Sequence, residues 1–312
     1  MEAPVLNDIK LEELRALIRQ SLVPLINNDY VLLDLPYYEN PGDTLIWEGT
    51  LNFLGELPWK MRYATGKDNY RKPHVGKGTV VLLQGGGNWG DLWPEHQRFR
   101  ERVIREFPDN PVVVLPQSVH YDDTENLRRD AAFLKDYPNV VICLRDKHSF
   151  EILSDVVPNR LLLVPDMAFF VDARKYADEV EEGDGTLYLR RVDKEAPPRL
   201  CKEIPADADV HDWPTIERWP QELHDGLRRK LRRCRKIKRW TGIDLSGKSI
   251  DRYWHDVMRP AYLRSGIGFI SRYSIIYSTR LHVTILGMLL GKKVHVLDNS
   301  YGKTKNLLDT WL

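Results

Sequence analysis

Thr79-Val80-Val81-Leu82-Leu83-Gln84-Gly85-Gly86-Gly87-Asn88-Trp89-Gly90-Asp91 is the stretch on which the fold reading turns. Residues 79–83 read as a buried strand. Beyond the glycines, Leu92, Phe99, Val103 and Phe107 recur about one helical turn apart, which predicts a helix. A strand, a glycine-rich turn and a helix gather unpaired backbone N–H groups and a positive dipole end at one point, which suits an anionic ligand. A second Asn-x-Gly-Asp, Asn40-Pro41-Gly42-Asp43, follows the strand-like Tyr30-Val31-Leu32-Leu33-Asp34-Leu35. Two copies of one turn at two strand ends suggest one shared pocket, because ligands of open α/β sheets sit at the carboxyl ends of strands. Gly85, Gly87 and Gly90 also satisfy G-x-G-x-x-G. The next strand, Val112–Leu115, closes with Pro116-Gln117-Ser118 rather than the acidic residue a dinucleotide site wants about 20 residues on. An isolated match of this kind marks a tight turn more often than a nucleotide.

Outward from this stretch, strand and helix patterns alternate. Lys10 to Ile26 predicts an amphipathic helix with Leu11, Leu14, Leu17 and Ile18 on one stripe. Strands are expected at residues 31–35, 80–83, 112–115, 140–144 and 161–164, with helices at 44–54, 93–107, 123–136 and 147–154. Continuous apolar strands alternating with helices argue for a parallel sheet covered on both faces. Asp172 to Gly185 is acidic and glycine-containing and reads as a linker. A shorter alternation follows: strands at 186–189, 273–277 and 293–297, helices at 224–240, 250–265 and 280–290. The expected architecture is therefore α/β, two Rossmann-like domains facing a cleft, spanning residues 1–175 and 186–312.

Composition narrows the classes further. The 312 residues carry 46 Lys+Arg against 45 Asp+Glu, a formal charge of +1 that indicates no global electrostatic partner. With 42% apolar and 29% charged residues the chain is that of a soluble globular protein. No apolar run approaches the ~20 residues of a membrane span, and the first residues lack the regions of a signal peptide. Cys143, Cys201 and Cys234 form neither a disulfide framework nor a zinc spacing. The expectations are a cytoplasmic protein with no metal and no cofactor.

Several motifs carry chemistry. Ser278-Thr279-Arg280-Leu281-His282 follows the strand-like Ser274–Tyr277. Ser278 or Thr279 is the expected cap of the next helix, placing Arg280 and His282 in its first turn. A guanidinium fork matches a carboxylate or phosphate bidentately, and histidine can donate a proton near neutral pH; a surface arginine with a locally satisfied histidine is the competing reading. Arg190-Arg191 closes another strand, where one of two adjacent arginines can face the cleft. Arg145-Asp146 and Asp166 close first-half strands, an Asp at such a tip being a base, a hydrogen-bond anchor or, most commonly, a cap. Arg228 to Arg239 is the densest charge cluster, with Leu227, Leu231, Cys234, Ile237 and Trp240 on one helical face. It suits either an anionic membrane surface or a solvated face. Neutral overall charge and the lack of a binding fold weigh against nucleic acid.

Taken together, the residues resemble the polysaccharide pyruvyl transferase family. The matching pieces are 40–43, 84–91, 115–118, 144–149, 165–168, Arg190 to Glu195, Arg280-Leu281-His282 and Asp298 to Lys303, in family order. The resemblance implies a GT-B-like pair of domains, with the acceptor on the first and the donor on the second. It implies transfer of pyruvate from phosphoenolpyruvate onto two hydroxyls of a sugar, as a ketal, with release of phosphate and no other cofactor. Arg280, Leu281 and His282 are then expected to hold the donor, helped by Arg190 or Arg191, with His282 as the acid and Asp43 or Asp91 accepting a hydroxyl proton. Asn40, Gly42, Gly86, Gly87, Asn88, Trp89, Gln117 and Arg145 complete the expected substrate site. The implied acceptor is a lipid-linked saccharide, at the inner face of the plasma membrane. A glycosyltransferase with a nucleotide-sugar donor and a non-catalytic subunit of a polysaccharide assembly complex are the rival readings.

Overall fold

The computed structural model describes residues 1–177, 182–196 and 204–312. Cys201 and part of the expected linker lie outside the described residues. A seven-stranded sheet and a four-stranded sheet organise the chain, and their strand-to-strand pairings are parallel. The first comprises β1 (Tyr30–Leu33), β2 (Met61–Thr65), β3 (Val80–Leu83), β4 (Gly86–Gly90), β5 (Val112–His120), β6 (Val140–Leu144) and β7 (Arg160–Leu163), in the order β2-β1-β3-β5-β6-β7 with β4 paired to β5. The second comprises β8 (Gly185–Leu189), β9 (Ala208–His211), β10 (Tyr273–Ser278) and β11 (Lys293–Val296), in the order β11-β10-β8-β9. The helices are α1 (Asp8–Leu22), α2 (Pro41–Leu54), α3 (Pro94–Glu106), α4 (Thr124–Leu134), α5 (Lys147–Ser154), α6 (Arg174–Ala177), α7 (Pro214–Glu217), α8 (Gln221–Thr241), α9 (Ser246–Tyr253), α10 (Arg259–Ser271), α11 (Leu281–Leu289) and α12 (Lys303–Trp311).

The mixed α/β architecture with parallel sheets follows from the sequence pattern. Strands β1 and β3 are apolar at every position because helices cover both faces, and every residue of each is buried. Helix starts are set by side-chain caps: Asn40 accepts the Gly42 amide with Pro41 in the first turn, and Asp146 accepts the Ser149 amide.

Four departures from the sequence reading have physical causes. Residues 86–90 are extended as β4 and pair with β5 rather than forming a turn, while helix α3, from Pro94, starts one residue from where it was expected. Pro116 does not end β5; the strand continues to His120 with a register irregularity between Val114 and Gln117. A π-turn, Trp254–Met258, joins α9 to α10 where one helix was expected. Leu17, placed on the buried stripe of α1, is 39% exposed.

The two halves are packed together rather than merely adjacent. Met1 and Ala3 hydrogen-bond to β11, Leu14 of α1 joins the core around β10 and α11, and Trp254, Met258 and Tyr262 enter the core of the first half. Tyr37 stacks on Trp254 with ring centroids 5.0 Å apart. Such shared apolar packing holds the sheet ends against one another, and the groove between them is the candidate site.

Candidate active site

A cavity of about 420 Å³ opens where the carboxyl ends of both sheets meet. Its walls come from the β1–α2 connection (Tyr37 to Asn40, and Asp43), from β4 and the start of α3 (Gly87, Asn88, Trp93, Glu95, His96), and from the second half (Arg191, Asp193, Glu195, Trp213, Arg280, Leu281, His282, Lys303).

Cations converge from the second half. Arg280 leaves β10 as the N-cap of α11, with no side-chain cap there; Ser278 and Thr279, the expected caps, are otherwise engaged. Ser278 Oγ accepts the Arg280 amide, while Thr279 Oγ1 accepts the Arg191 amide and donates to the Leu189 carbonyl. Thr279 thereby ties the two arginine-bearing strand ends together. Arg280 donates through Nε and Nη2 to Asp212 at 2.5 and 2.6 Å, and its Nη2 lies 3.2 Å from Asp193. Arg191 forks onto Asp193 at 2.8 and 2.9 Å and reaches Glu195 at 2.7 Å. Lys303, at the start of α12, donates to the Gly87 carbonyl and approaches Glu195 at 3.4 Å. Between the two arginines of the doublet the geometry is decisive: Arg191 lines the cavity and Arg190 is exposed outside it.

Three cations therefore face three carboxylates, which differ in accessibility. The Asp212 side chain is 1% exposed and Glu195 5%, but Asp193 is 31% exposed. Burial works to raise the Glu195 pKa, but Lys303 and Arg191 outweigh it and hold the carboxyl well below the usual range. Asp193 is likewise lowered, by Arg191 and Arg280 against its desolvation. Asp193 is thus the most accessible of the three carboxylates, whereas Asp212 is the buried seat of Arg280.

His282 sits where the halves touch. Its Nε2 lies 3.4 Å from Asp166 Oδ2 and 3.5 Å from Arg145 Nη1. Asp166 accepts the Ala168 amide, so it is a cap, and it also receives Arg145 Nη1 at 2.6 Å. Desolvation pushes the Asp166 pKa up, but Arg145 and His282 overcome it and keep the carboxyl ionised far into acid. Gly42 faces the other side of the imidazole: a Cβ built there would stand 3.0 Å from Cβ and Nδ1 of His282.

The first-half residues singled out from sequence divide. Asn40, Asp43, Gly87 and Asn88 line the cavity; Gly42, Gly86, Trp89, Asp91, Gln117 and Arg145 do not. Asp91 is a structural anchor, accepting the amides of Asp122 and Asp123 at 2.9 Å each and Asn126 Nδ2 at 3.2 Å, so it is not the base. Trp89 is core, stacked beneath Arg100, and buried Gln117 donates to the Gln84 carbonyl. Arg145 is fully buried behind the wall, bonded to Ser118 and Asp166, but its Nη2 has no hydrogen-bond partner among the described residues. Gly42 serves close packing against His282, whereas Gly86 takes a φ of +152° that side-chain-bearing residues rarely adopt.

The sequence reading missed Asp34, His96, Glu195, Asp212 and Lys303 as site residues. Asp34 had a local signal, a charge directly after the all-apolar Tyr30–Leu33. Lys303 stood only within the closing segment that carries the resemblance, and Asp212 had no signal, since only tertiary packing brings them to Glu195 and Arg280.

Known proteins place this site in a family. The sequence profile of the family described as "Polysaccharide pyruvyl transferase" matches residues 40–301. "Putative pyruvyl transferase EpsO" of Bacillus subtilis is 32% identical over 292 residues, covering 91% of this chain and 86% of that one. "Pyruvyl transferase 1" of Schizosaccharomyces pombe is 26% identical over 298 residues, covering 90% and 69%. A solved structure of an uncharacterised Klebsiella pneumoniae protein shares the fold, with TM-score 0.59 at 18% identity over 97% of this chain and 94% of that one. An α/β protein with a cavity lined by paired cations and carboxylates between two parallel sheets is the class defined. The chain belongs to the polysaccharide pyruvyl transferase family.

Proposed function

We propose that the protein transfers pyruvate from phosphoenolpyruvate onto two hydroxyls of a sugar, forming a ketal and releasing phosphate. The observation that carries this reading is the convergence of Arg191, Arg280 and Lys303 on one cavity that His282 also lines. Phosphoenolpyruvate bears a carboxylate and a phosphate on one carbon, so it needs several cations held close together without solvent between them. A bidentate fork from Arg280, seated on Asp212, suits the carboxylate. Arg191 and Lys303 suit the phosphate, with the donor displacing Asp193. Nη2 of Arg145, without a hydrogen-bond partner among the described residues, stands in reserve behind Gly87. His282 supplies the proton to the methylene carbon, and the arginines offset the charge of the departing phosphate, so the reaction as proposed runs with no cofactor.

In this reading the arrangement is GT-B-like. The half that ends near residue 175 takes the acceptor against Tyr37, Tyr38, Asn40 and Trp93, and the half from residue 186 takes the donor. A lipid-linked saccharide is the proposed acceptor, met at the inner face of the plasma membrane. Helix α8 supports this contact: Arg232, Arg233, Arg235, Lys236 and Arg239 are exposed beside Ile237 and Trp240, and Trp240 is 87% exposed. Its neighbour α9 packs on residues 67–69, where Asn69 donates to the Gly247 carbonyl and Lys67 lines the cavity.

The test is incubation of purified protein with labelled phosphoenolpyruvate and a panel of lipid-linked oligosaccharides, following phosphate release and label in the saccharide. Equimolar release and transfer is the expected result. Consumption of a nucleotide sugar with phosphoenolpyruvate untouched would replace this reading with glycosyl transfer.

A further inference from the structure

A second histidine of the cavity wall stands in a geometry that the donor does not need. Strand β1 is followed directly by Asp34, a non-glycine residue held at φ +65° and 4% exposed. Burying a carboxylate in that conformation is unfavourable twice over, through backbone strain and through desolvation. The partners that make it tolerable come from α3. Arg100 Nη2 lies 3.0 Å from Asp34 Oδ2, and His96 Nδ1 lies 2.9 Å from Asp34 Oδ1. Arg100 is itself fixed by the backbone carbonyl and side chain of Asn88. Every group behind the imidazole is thus locked.

A carboxylate only accepts, so Nδ1 of His96 carries a proton, and in the neutral imidazole Nε2 carries the lone pair. Asp34 does not line the cavity and His96 does. The lone-pair nitrogen is therefore the one on the cavity side. Tyr38, edge-on to the ring at 6.2 Å between centroids, and Asp43, which accepts the Tyr38 hydroxyl at 3.0 Å, flank it. Tyr38 is held neutral: burial first, then Asp43 and Asp34, push its pKa well above the ordinary value. Asp43 spends Oδ2 on Tyr38 and Asn40, which leaves it a poorer base than a histidine whose other nitrogen is already oriented.

We propose that His96, oriented by Asp34, is the general base that deprotonates the acceptor hydroxyls. This rests on the pyruvyl-transfer reading and assigns a catalytic residue within it. The first hydroxyl oxygen bonds to C2 of phosphoenolpyruvate while its proton passes to His96 Nε2, and the C2–C3 π pair takes a proton from His282. The C2–O bond to phosphate then breaks, its electron pair leaves with the phosphate, and His96 returns its proton to that oxygen. The second hydroxyl adds to C2 and gives its proton to His96. Exchange with solvent moves that proton to His282, so one hydroxyl proton ends on the methyl group and the other on phosphate.

The test uses the intact chain, phosphoenolpyruvate and the panel of lipid-linked oligosaccharides, with glucose, galactose, mannose or N-acetylglucosamine at the terminus, as acceptor probes. With the wild type turning over, His96→Gln should lose at least a hundredfold in kcat, a loss typical of a missing acid–base group. Its KM for phosphoenolpyruvate should stay within threefold, which also reports that it has folded. His96→Ala should be rescued by added imidazoles, faster with more basic ones, a dependence that a packing role would not produce. Asp34→Asn, tested as a positioning variant, should lower kcat with the donor KM kept. An active wild type with His96→Gln within tenfold of it would overturn the assignment and leave pyruvyl transfer standing. A wild type that releases no phosphate with any oligosaccharide of the panel would overturn both.

Discussion

Arg280 and Asp212 meet as a fork on a fork, Nε to Oδ1 at 2.5 Å and Nη2 to Oδ2 at 2.6 Å, in a site where both side chains are almost wholly buried. A lysine cannot reproduce two parallel N–H donors, and an asparagine at 212 would remove the charge that seats the guanidinium. Arg280→Lys and Asp212→Asn are each expected to weaken donor binding roughly ten- to a hundredfold, the equivalent of losing one charge-assisted hydrogen bond at about 1.5–3 kcal/mol. Calorimetric titration with phosphoenolpyruvate checks this, and unchanged affinity in both variants would remove Arg280 from the donor site.

Gly87 makes room for Lys303. A Cβ at residue 87 would fall 1.8 Å from Lys303 Nζ and 2.8 Å from Arg145 Nη2. The lysine end is flexible, so Gly87→Ala should move the ammonium aside rather than unfold the chain. Near-native melting with activity reduced as far as in Lys303→Ala is the predicted outcome. Full activity in Gly87→Ala would mean the ammonium is not needed where it stands.

Acid should loosen the contact between the halves. Asp166 and Glu195 have native pKa values below their unfolded ones, because Arg145 with His282, and Lys303 with Arg191, overcome desolvation. The unfolded chain then binds more protons, so this stability is complete above the ordinary carboxylate values of about 4 and is lost progressively as the pH falls from there toward the depressed native values. Urea midpoints measured from pH 7 to pH 3.5 should decline, and Asp166→Asn should start lower at pH 7 and decline less steeply. Parallel curves for the two proteins would contradict the account.

At the end of α8, Ile237 and Trp240 with Ile243 just beyond it are exposed among arginines and lysines. Co-sedimentation with vesicles rich in phosphatidylglycerol is expected at low salt, falling steeply toward 0.5 M, where charges are screened within about 4–5 Å. Trp240→Ser should weaken it further. Binding insensitive to salt would argue against an electrostatic contact.

Much of the scaffold was legible before the structure. Helix α5 has the bounds that its periodicity predicts, Lys147–Ser154, because Asp146 caps it and apolar spacing fills one face. Edge strand β2 and strand β9 were missed; β2 is half solvated and β9 mostly exposed, so neither shows a buried-strand pattern. The glycine run misled: it pairs with β5, and its glycines answer close approaches, Gly90 to the His120 carbonyl and Gly87 to Lys303.

Local order in the chain determined the alternating strands and helices, the parallel sheets, and the arginine and histidine at the end of β10, since apolar periodicity and caps act over a few residues. Tertiary structure alone decided that Arg191 rather than Arg190 faces the cavity, that Asp91 braces a loop, and that Asp34 grips His96 and Asp212 grips Arg280. Those pairs lie 62 and 68 residues apart. Their attraction exists only once packing has excluded water from between them, and no short-range pattern records that.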